Sequence, residues 1–233
     1  MKRKGWVVAL VLFASMSVNA LTYPEPSREV KFFGQIEVWS IENAFKDTKD
    51  WFTETLNNPA SPFYEGSNTV DPGVGGRFGF LSPVGDRGFL LGGSLGYIKG
   101  PKGVFTLSDG VTPSANNLFV EDETNFVRGL IEARKHFAIN EKVGLRVGAG
   151  LGLAKGKIEE TYSGKLYSTP FSGSASDTWT GVTWEISPSI LFKAGQTNIE
   201  LGVTYAVFPT LDENTEFFQF EWHPFGFHLG VEF

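Results

Sequence analysis

From Val143 to Ala154 the chain alternates without a break: Val143, Leu145, Val147, Ala149, Leu151 and Leu153 are apolar, and Gly144, Arg146, Gly148, Gly150 and Gly152 stand between them. A helix would scatter both sets around its circumference, whereas a period of two sorts them onto opposite faces of a strand. The pattern recurs from Phe89 to Tyr97, from Ile199 to Val207 and from Phe225 to Phe233, with weaker copies at Lys31 to Ser40, Val74 to Leu81, Phe126 to Phe137 and Val182 to Phe192. This predicts an all-β chain of about eight strands. Each is about ten residues long, enough to cross an apolar band about 25 Å tall at a tilt near 40°.

The connections alternate too. Residues 82–88, 138–142 and 193–197 are short turns, while Glu42 to Pro72, Lys99 to Thr124, Lys155 to Asp177 and Pro209 to Glu221 read as long polar loops. Sorting by parity is what a transmembrane barrel requires, with short turns at one mouth and long loops at the other. With the apolar parity facing lipid, the other parity places Glu37, Arg77, Arg128, Glu132, Arg134, Arg146, Glu185, Glu200 and Glu232 in the lumen. The reverse register would expose four arginines to hydrocarbon at about 2–4 kcal/mol each at the midplane, so the charges pin the register. Inside, they must pair; Arg146 with Glu132 or Glu185 is one expectation.

Interior glycines such as Gly96, Gly150, Gly202 and Gly230 leave room for those side chains. Because backbone polar groups cannot stay open in hydrocarbon, the last strand must pair with the first and close the barrel. Aromatics near strand ends suit interfacial belts: Phe80, Phe89, Phe137, Phe192 and Phe233 by the short turns, and Trp39, Tyr97, Trp179, Tyr205, Phe208 and Trp222 by the long loops. Pro188 predicts a bulge or edge, and Pro224 coincides with a change of parity between Phe218–Trp222 and the final strand.

Residues 1–20 read as a signal peptide: Lys2, Arg3 and Lys4 precede an apolar run from Trp6 to Phe13, and Val18-Asn19-Ala20 has the small-residue form of a cleavage site. Residues 21–29 would be a short periplasmic segment and 30–233 the barrel. Removing the three basic residues takes the net charge from -6 to -9, which leaves no basic surface for nucleic acid. With 0 Cys there is no disulfide, thiolate metal site or cysteine nucleophile.

Lys31-Phe32-Phe33-Gly34-Gln35-Ile36-Glu37, the run from Val143 to Leu153 and the terminal series Phe225, Phe227, Leu229, Val231 and Phe233 resemble the small eight-stranded outer-membrane β-barrels of the OmpA, OmpX and OmpW type. The resemblance implies an eight-stranded antiparallel up-and-down transmembrane barrel in the bacterial outer membrane. It also implies that the terminal series serves as the insertion signal met by the barrel-assembly machinery. The resemblance is to the barrel alone, and no peptidoglycan-binding domain is expected after Phe233. Expected partners are outer-membrane lipids, including lipopolysaccharide, and the expected state is a monomer. The leading function is a non-enzymatic scaffold for surface loops, in envelope integrity, adhesion or surface interaction. One alternative is a narrow pore for small solutes or amphipathic molecules.

A lipid A-modifying enzyme is a further alternative, for which only His136, His223 and His228 are available. None has a convincing serine partner, and His228 shares its inward parity with Glu232. Glycine runs at 73–76 and 148–152 lack the lysine and helix of a phosphate loop. Loop carboxylates such as Asp47, Asp50, Asp71, Glu121, Asp122, Glu123, Asp212 and Glu213 lack calcium-loop spacing and read as solvated charge. No catalytic, metal or cofactor site is expected.

Overall fold

The computed structural model describes residues 29–40, 44–85, 88–209 and 224–233; the expected signal peptide, most of the segment before the barrel, His223, Trp222 and most of the last long connection lie outside them. In chain order the elements are β1 (Lys31–Trp39), α1 (Lys46–Asn57), β2 (Glu65–Asp71), β3 (Gly73–Val84), β4 (Phe89–Ser108), β5 (Asn117–Ala138), β6 (Val143–Leu166), β7 (Thr169–Ala194), β8 (Thr197–Val207) and β9 (Phe225–Glu232). Eight strands, all but β2, form an antiparallel ring. It closes where β9 returns to β1, from Phe33 opposite Glu232 to Trp39 opposite Gly226, so no ladder edge faces lipid.

Alternation sorts the faces. In β9, Phe225, Phe227, Leu229 and Val231 point outward while Gly226, His228, Gly230 and Glu232 point inward. The outer surface carries the same apolar band around the ring, with Ile131 on β5 76% exposed and Phe78 on β3 67%. Strands β1, β8 and β9, of 9, 11 and 8 residues, are just long enough to cross that band.

The other flank is far taller. Strands β4 to β7 run for 20, 22, 24 and 26 residues, so most of Lys99 to Thr124 and of Lys155 to Asp177, expected as loops, is paired strand. Outside the membrane a strand needs no lipid-facing side. A polar alternation of Ser, Thr, Gly and charged residues therefore serves as ladder, although its composition reads as loop. The region expected as the first long loop likewise contains α1 and β2. Strand β2 pairs with the upper part of β4, from Glu65 opposite Ser108 to Asp71 opposite Lys102, making a five-stranded wall above the ring.

A bulge between Lys99 and Lys102 marks the base of this wall. Pro101 cannot donate to the ladder, and a Cβ on Gly100 would lie 2.2 Å from Thr124 Oγ1. The extra residue reverses the parity of β4: Tyr97 and Lys99 face out below it, while Phe105 and Leu107 face in above it. Pro188 makes no bulge. Register with β8 is the same on both sides, Ile186 opposite Tyr205 and Ser189 opposite Gly202, and the ladder merely skips the positions between. The missing proline N–H costs a bond without costing alignment.

Ile131, near the middle of the band, gives a direct test of which face meets lipid. Ile131→Arg is expected to destabilise the inserted barrel by about 2–4 kcal/mol in urea titrations in liposomes, with Ile131→Leu nearly neutral. Equal stability of the two variants would mean that this face is not in hydrocarbon.

Candidate functional site: the lumen and the outer wall

All nine charged residues predicted for the lumen lie inside the ring, each at most 3% exposed. The closed ring brings them together, mostly across the lumen, as an unbroken chain of alternating sign. At the short-turn mouth, Lys31 meets Glu232 at 3.0 Å, and Glu232 meets Arg146 at 2.6 Å. Arg146 and Arg134 share Glu200 at 3.1 and 3.2 Å, and Arg134 reaches Glu132 at 2.6 Å. Arg77 bridges Glu132 and Glu185, and Arg128 spans from Glu185 at 2.6 Å to Glu37 at 2.5 Å. Arg146 thus pairs with Glu200 and Glu232, not with Glu132 or Glu185: the tilt of the strands brings β8 and β9 carboxylates to its height.

Neutral groups take up part of the remaining bonding capacity. Gln35 accepts from Arg77 at 2.8 Å, Ser189 donates to Glu200 at 2.6 Å, and Asn198 donates to Glu232 at 2.8 Å. With Lys31 included, five cations face five carboxylates, so the interior carries no net charge. Small residues open the space for them. A Cβ on Gly96 would stand 3.3 Å from Arg128 Nε, and one on Gly150 3.0 Å from Glu185 Cγ.

Above Arg128 the interior becomes apolar. The Arg128 guanidinium lies 5.1 Å from the Trp39 ring centre, and Trp39 Nε1 donates to Glu37 at 3.2 Å, so one indole joins the two zones. Trp39 packs edge-on to Phe208 at 5.8 Å, Phe208 on Phe126 at 4.7 Å, and Phe126 edge-on to Trp179 at 5.7 Å. These side chains correct the expected belt: Trp39, Phe208 and the half-buried Trp179 turn inward as a plug, whereas Tyr97 faces outward. Phe137, expected in the lower belt, is also buried.

Helix α1 seals the plug from above. Phe45, Phe52 and Leu56 share one face, and Phe52 meets Phe105 on the wall with ring centres 5.9 Å apart. Phe52 and Phe63 pack over the rim, while Trp51 and Tyr64 stay exposed. At the opposite mouth a vestibule of about 610 Å³ reaches Lys31, His136, Arg146 and Glu232, where the ion chain forms its roof.

His228 does not meet Glu232. Its Nδ1 lies 3.1 Å from Thr204 Oγ1, and its Nε2 lies 3.6 Å from Glu200. Hydroxyl, imidazole and carboxylate thus stand in the order of a nucleophilic triad. All three residues are at most 4% exposed, and the imidazole–carboxylate separation of 3.6 Å is longer than a hydrogen bond.

Sequence reasoning missed Asp122, which it grouped with solvated charge. Asp122 is fully buried on the inner face of the wall, opposite Glu160 on β6, and accepts from Thr48 of α1 at 3.1 Å. Burial, reinforced by the Glu160 charge, pushes its carboxyl up to about 7. The inward parity of β5 was the available signal. At the wall's tip the Asp109 carboxylate accepts from the backbone of Val111, Ala115 and Asn116 and from Ser114, and these bonds hold it down at about 2. Asn116 then accepts from Tyr167 N at 2.8 Å, tying the β4–β5 connection to the β6–β7 turn.

Two outcomes follow. Glu185→Gln leaves buried arginines short of countercharge and is expected to cost about 3–5 kcal/mol in liposome unfolding, with part of the loss regained in Glu185→Gln/Arg128→Gln; no loss in the single variant would make the chain of charges ornamental. For Asp122, the raised carboxyl binds its proton more tightly folded than unfolded. Its contribution to stability is therefore greatest below the unfolded value near 4 and declines as pH rises through about 7. Asp122→Asn should flatten that decline in unfolding measured from pH 5 to 8; an unchanged slope would place the titration elsewhere.

No protein-family model and no curated relative matches the sequence. Among solved structures the chain is similar to Neisserial surface protein A, at 10% identity over 87% of this chain and 95% of that one, with a TM-score of 0.40. It is similar to Ail, the attachment invasion locus protein of Yersinia pestis, at 12% identity over 89% and 100%, with a TM-score of 0.43. It is also similar to the N-terminal β-barrel domain of Pseudomonas aeruginosa OprF, at 13% identity over 86% and 96%, with a TM-score of 0.33. On the strength of its own ring closure, apolar outer band and ionic interior, the chain is an eight-stranded antiparallel β-barrel built to cross a membrane.

Proposed function

We propose that the protein is a closed, non-enzymatic scaffold of the outer membrane that holds a rigid β-wall above the bilayer for contact with other molecules at the cell surface. The observation that carries this reading is the filled lumen: an ion chain from Lys31 to Glu37, then a plug of aromatic rings, then α1. Small barrels filled by their own side chains hold no water column. The neutral balance of the interior favours a structural core over a selectivity ring, which would carry an excess of one sign.

The wall supplies the other half of the argument. Its tip is ordered by the Asp109 and Asn116 bonds, and the β6–β7 turn uses Tyr167 and Ser168 at positive φ, 50° and 67°. Glycine would be easier there, so the turn accepts strain that its tied neighbours hold in place. Tyr167 is left 76% exposed at the far end of the molecule, an aromatic group already fixed for contact. Envelope integrity and adhesion both fit such a scaffold. Contacts with outer-membrane lipids and with the barrel-assembly machinery, through Phe225 to Phe233, belong to the same proposal.

Planar-bilayer recording of the purified protein tests the closed lumen. Silence is expected across the stable voltage range. Sustained unitary steps that change with Glu185→Gln would overturn the scaffold in favour of a pore. Surface attachment of cells displaying the intact chain should fall when the β4–β5 and β6–β7 tips are replaced by short turns, while the barrel still inserts.

A further inference from the structure

Three lysines share the outward face of neighbouring strands within two residues of one height. Lys99 of β4 stands opposite Asn125 of β5, and Asn125 stands opposite Lys157 of β6; Lys155 lies two residues below Lys157 on the same face. Directly beneath them the lipid-facing band ends in Tyr97, Val127 and Leu153, all exposed. By strand geometry Lys155 and Lys157 are about 7 Å apart and Lys99 lies about 10 Å from Lys157, across two strands. The grouping is local. At the corresponding rim, β1, β3 and β9 present Val38, Val74 and Phe225 outward, with no cation there among the described residues.

From these positions we infer that Lys99, Lys155 and Lys157 form a recognition site for a phosphate-bearing lipid headgroup in the leaflet beneath the wall. The inference rests on the membrane placement of the band and not on the closed lumen. An acyl chain lying on Leu153, Val127 and Tyr97 carries its headgroup to the height of the lysines. Ammonium groups attract a lipid phosphate by charge without a fixed fork geometry, which suits a mobile ligand. Tyr97 donates its hydroxyl to Asn125 Oδ1 at 2.8 Å, which leaves the Asn125 amide N–H groups as donors between Lys99 and Lys157.

The acidic residues set the height of the anion. Glu123 meets Lys99 at 3.4 Å and Glu159 meets Lys157, and both carboxylates lie on the wall side, away from the band. Lys155, nearest the band, has Val127 and Thr180 as cross-strand neighbours and no carboxylate partner among the described residues. The field therefore runs from positive at the headgroup layer to negative above it. A phosphate is drawn to the membrane edge of the patch and repelled from climbing the wall. Exposed pairs of this kind are worth little by themselves, so a phosphate can compete for the lysines at small cost.

The experiment uses the full mature protein in nanodiscs of phosphatidylcholine with a minor fraction of phosphatidic acid, which carries a phosphomonoester, and native mass spectrometry to count retained phosphatidic acid. Lys99→Gln/Lys155→Gln/Lys157→Gln is compared with Lys142→Gln/Lys193→Gln at the other mouth, and heat-dependent gel mobility verifies insertion of each. Retention is expected to fall about tenfold in the triple variant and to hold in the control. Equal retention by wild type and triple variant overturns the site, as does an equal fall in the control. Displacement of the lipid by millimolar inorganic phosphate would also overturn it, since the site would then take free phosphate and not a lipid. Failure of wild type to insert would strike the membrane placement itself, an outcome distinct from these.

Discussion

A charge placed against hydrocarbon has nowhere to hide, and this requirement organises the molecule. Arg77, Arg128, Arg134 and Arg146 each occupy a position whose opposite face is apolar, so a one-residue slip in any of their strands would exchange greasy groups for guanidinium groups at the lipid surface. Ring closure, strand register and the direction of every lipid-facing side chain follow from keeping those four inside. Their carboxylate partners come from β1, β5, β7, β8 and β9, so apart from Arg134–Glu132 within β5 the countercharge of each strand is supplied by others. Removing one charge disturbs the pairing of several strands at once.

The same constraint explains why the interior has two zones. Ion pairs away from water are weak sources of net stability, because desolvation offsets most of the attraction. They are effective at specifying one arrangement, since any other leaves a charge without a partner. The apolar plug supplies what the ion chain lacks, burying Trp39, Phe126, Phe208, Phe105 and Ile98 against one another and under α1. Trp39 is the joint, with its ring in the plug, its N–H on Glu37 and its face near Arg128. The ionic zone fixes register and the aromatic zone adds cohesion.

Period-two patterning made the ring legible, because lipid demands it on every strand for the full height of the band. The nine lumen charges were legible for the same reason: parity fixes the face of a side chain even when its partner is unknown. Partners were not legible. Arg146 joins Glu200 and Glu232 because of strand tilt, a property of the assembled ring that no single strand encodes. Trp39, Trp179 and Phe208 were assigned to the interface because an aromatic near a strand end suits a membrane belt, although each shares the inward parity of a lumen carboxylate, Glu37, Glu185 and Glu200 respectively. The wall escaped notice because water accepts either face of a polar strand, and the alternation that betrays a strand in lipid fades there.

That change of solvent along a single strand is the problem solved at Gly100 and Pro101. Below them β4 must show lipid Leu95 and Tyr97 and hide Gly96 and Ile98; above them it must hide Phe105 and Leu107 under α1. An unbroken period of two from Ile98 would have hidden even-numbered residues and turned Phe105 and Leu107 outward into water. One extra residue reverses the phase. Pro101 gives up a ladder bond that an ordinary residue would make, and Gly100 admits Thr124, whose hydroxyl donates to Pro101 O at 3.2 Å and recovers part of the loss. Joined strands of 20 to 26 residues can then serve two solvents in one continuous sheet, with the membrane deciding the lower phase and α1 the upper.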